Sequence, residues 1–218
     1  MLRAAIKFGA QCVGVTISQN QYDLAVERVK EAGLEDRVEI PLQDYRDITG
    51  QFERITSVGM FEHVGLDNLP DYFSRLKDLL TEEGIAMNHG ITSVNANSGE
   101  TPLGGGNFSE RYVFPQGELP HIGLVLKSMQ QGSIEALDVE NLRPHYARTL
   151  ACWTERFEAQ AETIREMVGE EVYRIWRVYF AGCAHAFDID NLAIFQVVCR
   201  KAGQPSSMRK LSRRHMYS

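Results

Sequence analysis

Residues 13–33, VGVTISQNQYDLAVERVKEAG, contain a complete strand–helix unit and set the fold class. Residues 13–17 are apolar and rich in β-branched side chains, which predicts a short strand. Ser18 can cap a helix over residues 19–32, and Gly33 is a typical stop signal. A strand that leads directly into a helix is the repeating unit of an α/β sheet.

The same alternation continues along the chain, with one interruption. Residues 55–61 are apolar enough to predict a strand buried on both faces. Between residues 92 and 143 the alternation stops in a Gly/Asn/Ser/Pro-rich stretch that ends in a weakly helical piece, which predicts an insertion that covers the substrate side of the sheet. The pattern as a whole predicts a parallel α/β sheet. The other predicted elements are strands at 38–42, 85–89 and 192–199 and helices at 4–11, 69–80, 146–167 and 170–187.

Length and composition predict one globular, cytoplasmic domain. The chain has 218 residues, of which 44% are hydrophobic, enough for a full core. No run approaches the ~20 apolar residues of a membrane span, and we predict no secretory signal. The four cysteines show no CxxC spacing, which argues against a disulfide framework and against a metal site.

Charge is distributed unevenly. The net charge is −6, but residues 206–218 carry four Lys/Arg and no acid, so subtracting +4 leaves −10 for residues 1–205. We expect no nucleic-acid partner for such an acidic chain. The basic tail is either disordered and solvated, or touches anionic lipid at the membrane periphery, where each basic residue contributes ~1 kcal/mol.

Polar side chains follow the first two predicted strands, where open α/β sheets bind ligands. Thr16, Ser18 and Gln21 follow the first strand, and Asp44 and Tyr45 follow the second. Two interpretations stay open. These groups hydrogen-bond the ribose, carboxylate and adenine of a cofactor, or they are a helix cap, a strand residue and an acidic surface turn.

Ionisable side chains follow the next two strands. Glu62 and His63 come after an uncharged strand, and His89 stands at the end of the strand after that. Ionisable groups are costly to bury without partners, so Glu62 and His89 at neighbouring strand ends predict one shared pocket, although either histidine alone could be structural. Farther along, RYVFPQGELP at 111–120 either packs on the core or lines an apolar tunnel.

Taken in order, the motifs resemble one enzyme family. They are VGVTIS-x-x-Q, LQDYRD, SVGMFEHVG, NHGIT, RYVFPQGELP, HYARTLACWTERF and FQVV, and they cover residues 4–200. This series is similar to cyclopropane-fatty-acyl-phospholipid synthases and mycolic acid cyclopropane synthases. The resemblance implies a class I methyltransferase (Rossmann-like) fold, S-adenosylmethionine as cofactor and methylene transfer across a cis double bond of an unsaturated acyl lipid, phospholipid or carrier-bound.

The resemblance also implies roles for individual residues. Thr16, Ser18 and Gln21 would contact the methionine and ribose of the cofactor, and Asp44 and Tyr45 would contact adenosine. A bicarbonate ion would be bound by Glu62, His89, the backbone of Ile91 and Tyr146. Tyr112 and Phe114 would border the acyl channel. Methyl transfer to an alkene leaves a carbocation, which the ring of Tyr146 could stabilise by roughly 1–2 kcal/mol. Ring closure then needs a base, which the resemblance implies is the bicarbonate.

The sequence departs from the family at its start. The glycine-rich cofactor loop of the family has no counterpart here, so the resemblance implies a sheet that lacks its first strand, between strands 13–17 and 55–61. We therefore expect an incomplete methyltransferase domain over residues 1–205 and a tail over 206–218. Two alternatives stay open: methyl transfer that ends in a methyl-branched lipid, and a non-catalytic remnant that binds lipid or another subunit.

Overall fold

The computed structural model describes residues 1–96, 105–115, 117–208 and 211–216, and their strands fall in two sheets. The chain divides into two compact units, residues 1–50 and residues 51–218. In the described parts no helix is long and apolar enough to cross a membrane, and no group of His, Cys, Asp and Glu is arranged to hold a metal ion. All four cysteines are free.

The first unit is a small parallel strand pair with two helices. Its elements are α1 (Leu2–Phe8), β1 (Cys12–Val13), α2 (Gln19–Glu31) and β2 (Val38–Glu39). Ser18 caps α2 as predicted, since its Oγ accepts from the N–H of Gln21 at 3.4 Å. Gly33 follows α2 at φ 62°, a left-handed conformation that suits glycine and ends a helix.

Strand β1 is shorter than the five residues predicted. It pairs with β2 only through Cys12 and Val13, and one isolated bridge, Thr16 with Leu42, continues in the same register. That register places Pro41 opposite Val15. Proline has no N–H to donate to a strand ladder, which explains the interruption.

The second unit contains a mixed four-stranded sheet. Its strands are β3 (Phe52–Val58), β4 (Leu80–Ser93), β5 (Ile134–Asn141) and β6 (Leu192–Lys201), in the order β3-β4-β6-β5. Strands β3 and β4 are parallel, as predicted, but β6 runs antiparallel to both of its neighbours. Strand β4 also begins before Gly84, the residue expected to precede it. Helix α3 (Leu69–Leu79) buries one face, as its apolar spacing predicts.

The predicted burial of the third strand on both faces is wrong. Ser57 is the one buried residue of β3, and Val58 is 63% exposed. Among the described strands β3 pairs with β4 alone and stands at the edge of its sheet, so its faces are only partly covered. The strand also ends early, at Val58, because Gly59 takes a positive φ of 62°.

The stretch between residues 92 and 143, where the alternation is predicted to stop, contains one strand that the sequence did not indicate. Helices α4 (Gly105–Tyr112) and α5 (Ile122–Gln131) lead to β5, which pairs with β6. Residues 97–104 of the predicted insertion lie outside the described residues. That the remaining stretch covers a substrate stays a prediction.

Two long helices precede the last strand and pack against each other. They are α6 (Arg143–Ala159) and α7 (Ala161–Asp188), and α7 is broken at Gly169 (φ 82°, ψ 163°). Their contact is largely aromatic, for example Phe157 stacked on Tyr173 with centroids 5.0 Å apart. The described part of the basic tail forms two 3₁₀ turns, and its Arg213 pairs with Asp138 of β5.

Candidate active site

Glu62 lies buried just beyond the end of β3. It belongs to a 3₁₀ turn, Phe61–His63, and is 6% exposed. Its Oε1 accepts from the backbone N–H of Ile91 at 2.7 Å, whereas its buried Oε2 has no hydrogen-bond partner among the described residues. Burial raises the pKa of the Glu62 carboxyl, and the hydrogen bond from Ile91 opposes that rise.

Gly90 makes room for this carboxyl. A Cβ at Gly90 would lie 2.1 Å from Cε1 of Phe61 and 2.8 Å from Oε1 of Glu62. Phe61 is itself only 2% exposed and has little freedom to move. A side chain at position 90 is therefore incompatible with the observed position of Glu62.

His89 lies on β4 and pairs with Val58, which confirms that the two predicted strand ends are neighbours. Burial lowers the pKa of its imidazole, so the neutral form is favoured. Its buried Nδ1 has no hydrogen-bond partner in the part of the chain that the structure describes.

Tyr146, on α6, packs in the same apolar cluster as Ile91. Burial raises the pKa of its phenol, and the nearby Cys183 and Glu62 raise it further. Ile91 is thus a common neighbour: Glu62 accepts its N–H, Tyr146 packs in its cluster, and His89 precedes it by two residues. No hydrogen bond joins Glu62, His89 and Tyr146 directly in the described structure, so their action on one ion stays a prediction.

Two residues beside Tyr146 were not predicted from the sequence. On α7 the side chains of Tyr179 and Cys183 interact, and burial raises the pKa of both groups. The mutual spacing of the four cysteines gives no sign of this contact. The spacing of four between Tyr179 and Cys183 could have identified them, because residues i and i+4 share one face of a helix.

The loop after α4 brings aromatic rings to the Glu62 turn. The ring of Phe114 lies 5.9 Å from that of His63 and 5.9 Å from that of Tyr179. Tyr112 packs against Phe108 with centroids 5.2 Å apart. Both Tyr112 and Phe114 are partly exposed, at 45% and 43%. Their assignment to an acyl channel stays a prediction.

In the first unit, the polar groups after β1 contact one another. The Oγ1 of Thr16 donates to Oε1 of Gln21 at 2.8 Å and accepts from the N–H of Ser18 at 3.1 Å. The structural interpretation of Ser18 as a cap is correct. It does not exclude a second role, because the three side chains are at most partly buried.

Asp44 is paired with Arg46, a neighbour in its own turn. Its two carboxylate oxygens accept from the guanidinium at 3.0 and 2.7 Å, and Oδ1 also accepts from the N–H of Arg46 at 2.9 Å. These bonds lower the pKa of Asp44 to about 2, so it is ionised at neutral pH. Tyr45 begins the 3₁₀ turn that Asp44 caps. Contact of Asp44 or Tyr45 with adenosine stays a prediction.

The mixed sheet, with ionisable groups at the ends of its parallel strands, is the fold of class I methyltransferases. A Haemonchus contortus phosphoethanolamine methyltransferase, 21% identical, shares that fold. Its structure matches with a TM-score of 0.77 over 92% of this chain and 46% of that one. Residues 1–197 match the family model of mycolic acid cyclopropane synthetase. The chain therefore belongs to that family.

Curated relatives and solved structures agree with this family assignment. The chain is 43% identical over 200 residues to a probable fatty acid methyltransferase of Pseudomonas putida, covering 91% of this chain and 51% of the relative. It is 38% identical over 194 residues to the cyclopropane-fatty-acyl-phospholipid synthase of Escherichia coli K12, covering 89% and 48%. The structure of mycolic acid cyclopropane synthase CmaA1 complexed with SAH and CTAB, 29% identical, superposes with a TM-score of 0.85 over 92% of this chain and 73% of that one. The chain spans about half the length of these two curated relatives.

Proposed function

We propose that this chain transfers a one-carbon unit from S-adenosylmethionine to the double bond of an unsaturated acyl lipid and closes a cyclopropane ring. The observation that carries the proposal is the Glu62 carboxyl, buried beside Gly90 with one oxygen lacking a partner among the described residues. Family membership and a solved neighbour with bound SAH support the cofactor. When bound, S-adenosylmethionine supplies an electrophilic methyl group.

The residues around Glu62 suit a reaction that forms a carbocation. The double bond is a weak nucleophile, so it must be oriented and kept from water. Phe61 is buried, Ile91 is partly buried, and Tyr146 offers an aromatic ring in the same apolar cluster as Ile91. Burial raises the pKa of the Glu62 carboxyl, which shifts it toward the neutral form and so lowers its reactivity as a nucleophile toward the cation.

Two buried atoms fit a small hydrogen-bonding anion such as bicarbonate. Oε2 of Glu62 and Nδ1 of His89 are both buried and have no partner among the described residues. A protonated Glu62 can donate a hydrogen bond to an anion, and a neutral His89 can donate or accept one. Bicarbonate, when bound, supplies a replaceable proton acceptor. Tyr146 would complete its surroundings with a phenol that burial keeps protonated.

The polar groups of the first unit fit the cofactor. Thr16, Ser18 and Gln21 offer hydroxyls and an amide at the start of α2, and these side chains are at most partly buried. Asp44 is ionised at neutral pH and therefore accepts hydrogen bonds, as the adenosine hydroxyls and amine require. Its partner Arg46 has a 73% exposed side chain and can exchange that contact for water.

A second product is favoured by the names of two relatives. The chain is 43% and 36% identical to proteins described as probable fatty acid methyltransferases. Loss of a proton from the transferred methyl group closes the ring, whereas loss of a proton from the acyl chain leaves a methyl-branched alkene. The acyl lipid, its phospholipid or carrier form, and contact of the basic tail with a membrane surface are parts of this proposal.

Deuterium labelling tests the proposal and separates the two products. The chain is incubated with S-adenosylmethionine carrying a CD3 group and with vesicles of cis-monounsaturated phospholipid, and the acyl chains are analysed by mass spectrometry and NMR. We expect two deuterons in the product, both on the ring methylene by deuterium NMR. Three retained deuterons would establish the branched product instead, and no incorporation would contradict both.

The variant Glu62→Gln tests the proposed role of that carboxyl in the same assay. It keeps the size of Glu62 and an acceptor for the N–H of Ile91, but it cannot be a proton donor of the carboxyl type. We expect loss of ring formation with unchanged S-adenosylmethionine affinity by calorimetry, and partial recovery with added bicarbonate. Wild-type turnover of Glu62→Gln at ambient bicarbonate would contradict the assignment.

A further inference from the structure

Glu118 bonds at two points to the segment 62–66, although it lies 52 residues beyond Leu66 along the chain. Its backbone N–H donates to the carbonyl oxygen of Glu62 at 3.0 Å. Its side-chain Oε2 accepts from the backbone N–H of Leu66 at 2.9 Å. The two bonds therefore bracket residues 62–66, the segment that leads from the end of β3 into α3.

The N–H of Leu66 is a site where a carboxylate is effective. Leu66 starts a 3₁₀ turn, Leu66–Asn68, and the first amides of a helical turn have no partner within it. A hydrogen bond from such an amide to a carboxylate is charge-assisted and stronger than a neutral one. Gly65, at φ 86°, reverses the chain just before it, and a Cβ there would lie 3.6 Å from Oε2 of Glu118.

The loop that carries Glu118 is attached on its other side as well. The N–H of Ser93, at the end of β4, donates to the carbonyl oxygen of Pro120 at 3.0 Å, and Phe114 lies between the rings of His63 and Tyr179. The loop therefore spans the ends of both parallel strands. The same loop therefore carries Phe114, a proposed acyl contact, and the N–H of Glu118 that is hydrogen-bonded to the backbone of Glu62.

We infer that Glu118 is a positioning residue, which fixes the backbone of Glu62 and couples it to the loop that carries Phe114. An acyl chain that displaces Phe114 would then shift the turn that presents the Glu62 carboxyl. The catalytic consequence rests on the proposed function, whereas the coupling itself is a property of the fold.

Hydrogen exchange of the full chain tests the coupling without any activity. Glu118→Ala removes the acceptor of the Leu66 N–H, and we expect exchange in a peptide covering residues 61–68 to accelerate about tenfold. Glu118→Gln keeps an amide oxygen and should restore most of the protection. Glu110→Ala, which removes an exposed carboxylate from α4, is the matched control and should leave that peptide unchanged.

Kinetics then test the catalytic consequence. With unsaturated phospholipid vesicles, Glu118→Ala should lower kcat/KM about tenfold, mainly through kcat, with Glu118→Gln close to wild type. Unchanged exchange at residues 61–68 in Glu118→Ala would overturn the inference, and so would faster exchange with an unchanged kcat/KM. If the wild-type chain transferred no methyl group, the exchange result would still decide the coupling, so the two failures are distinguishable.

Discussion

Replacing Gly90 by alanine is a direct test of the geometry around Glu62. The added methyl group would lie 2.1 Å from Cε1 of Phe61, well inside contact distance, and 2.8 Å from Oε1 of Glu62. Phe61 is 2% exposed and cannot move outward freely. Either the ring, the carboxyl or the β4 backbone must shift.

The expected cost follows from these contacts. Overpacking a filled core costs about 1–3 kcal/mol. A longer bond between Glu62 and the N–H of Ile91 would add ~1 kcal/mol. For a chain of this size each kcal/mol lowers the unfolding midpoint by roughly 2–4 °C. The free energy of unfolding is measured by urea denaturation and the midpoint by calorimetry.

Gly182→Ala is the matched control. It makes the same chemical change in α7, where a Cβ would meet nothing within 4 Å. There we expect no loss, and a gain of up to ~1 kcal/mol, because alanine favours a helix more than glycine does. Equal unfolding free energies for Gly90→Ala and wild type would show that Phe61 and Glu62 do not lie against Gly90, and would refute the proposed site geometry.

Two further predictions concern stability. The pKa of Glu62 is raised in the folded chain, so folding takes up a proton, and the free energy of unfolding falls as the pH rises above the ordinary glutamate range. Glu62→Gln should therefore be more stable than wild type at pH 8, and this gain should disappear near pH 4. A constant difference across pH in urea denaturation would contradict this. Tyr72→Phe should lose about 1–3 kcal/mol, because the Tyr72 hydroxyl lies 2.7 Å from Oγ of Ser57 and 3.0 Å from Oδ1 of Asn88 in a buried network. An unchanged urea midpoint would show that this network contributes nothing.

Local sequence patterns were sufficient for the elements that local interactions determine. The cap at Ser18 and the stop at Gly33 bound α2, and the apolar spacing of α3 matches its buried face. The cap and the stop depend on residues close together in sequence. The order of strand ends was also sufficient to place Glu62 and His89 at neighbouring strand ends, because parallel strands end at the same edge of a sheet.

Strand β5 could not be read from its own sequence. Its acidic residues Glu135 and Asp138 obscure the apolar pattern of a strand. They are paired with Arg200 and Arg213, which come from distant parts of the chain. The pairing of charges across a sheet is a tertiary effect, and it overrides the local preference.

Local sequence patterns also predict the candidate site only in part. Glu62, His89 and Tyr146 were identified by their motifs, but the bond from Leu66 to Glu118 joins residues 52 positions apart and no local pattern indicates it. The exposure of β3 was mispredicted for a related reason, because the elements that pack on the faces of a sheet decide whether an apolar strand is buried, and these come from distant parts of the chain.

The N–H of Ile91, at the end of the ladder between β3 and β4, is hydrogen-bonded to a titratable group, the carboxyl of Glu62. Among the described strands, β3 ends at Val58 and does not reach the N–H of Ile91, and the Glu62 carboxyl accepts that N–H instead. An ionised carboxylate holds an amide proton more tightly than a neutral carboxyl does. The protection of that amide, measured relative to its intrinsic base-catalysed exchange rate, would therefore increase as the carboxyl ionises. The exchange protection of the Ile91 amide would therefore indicate whether the buried Glu62 carboxyl is ionised.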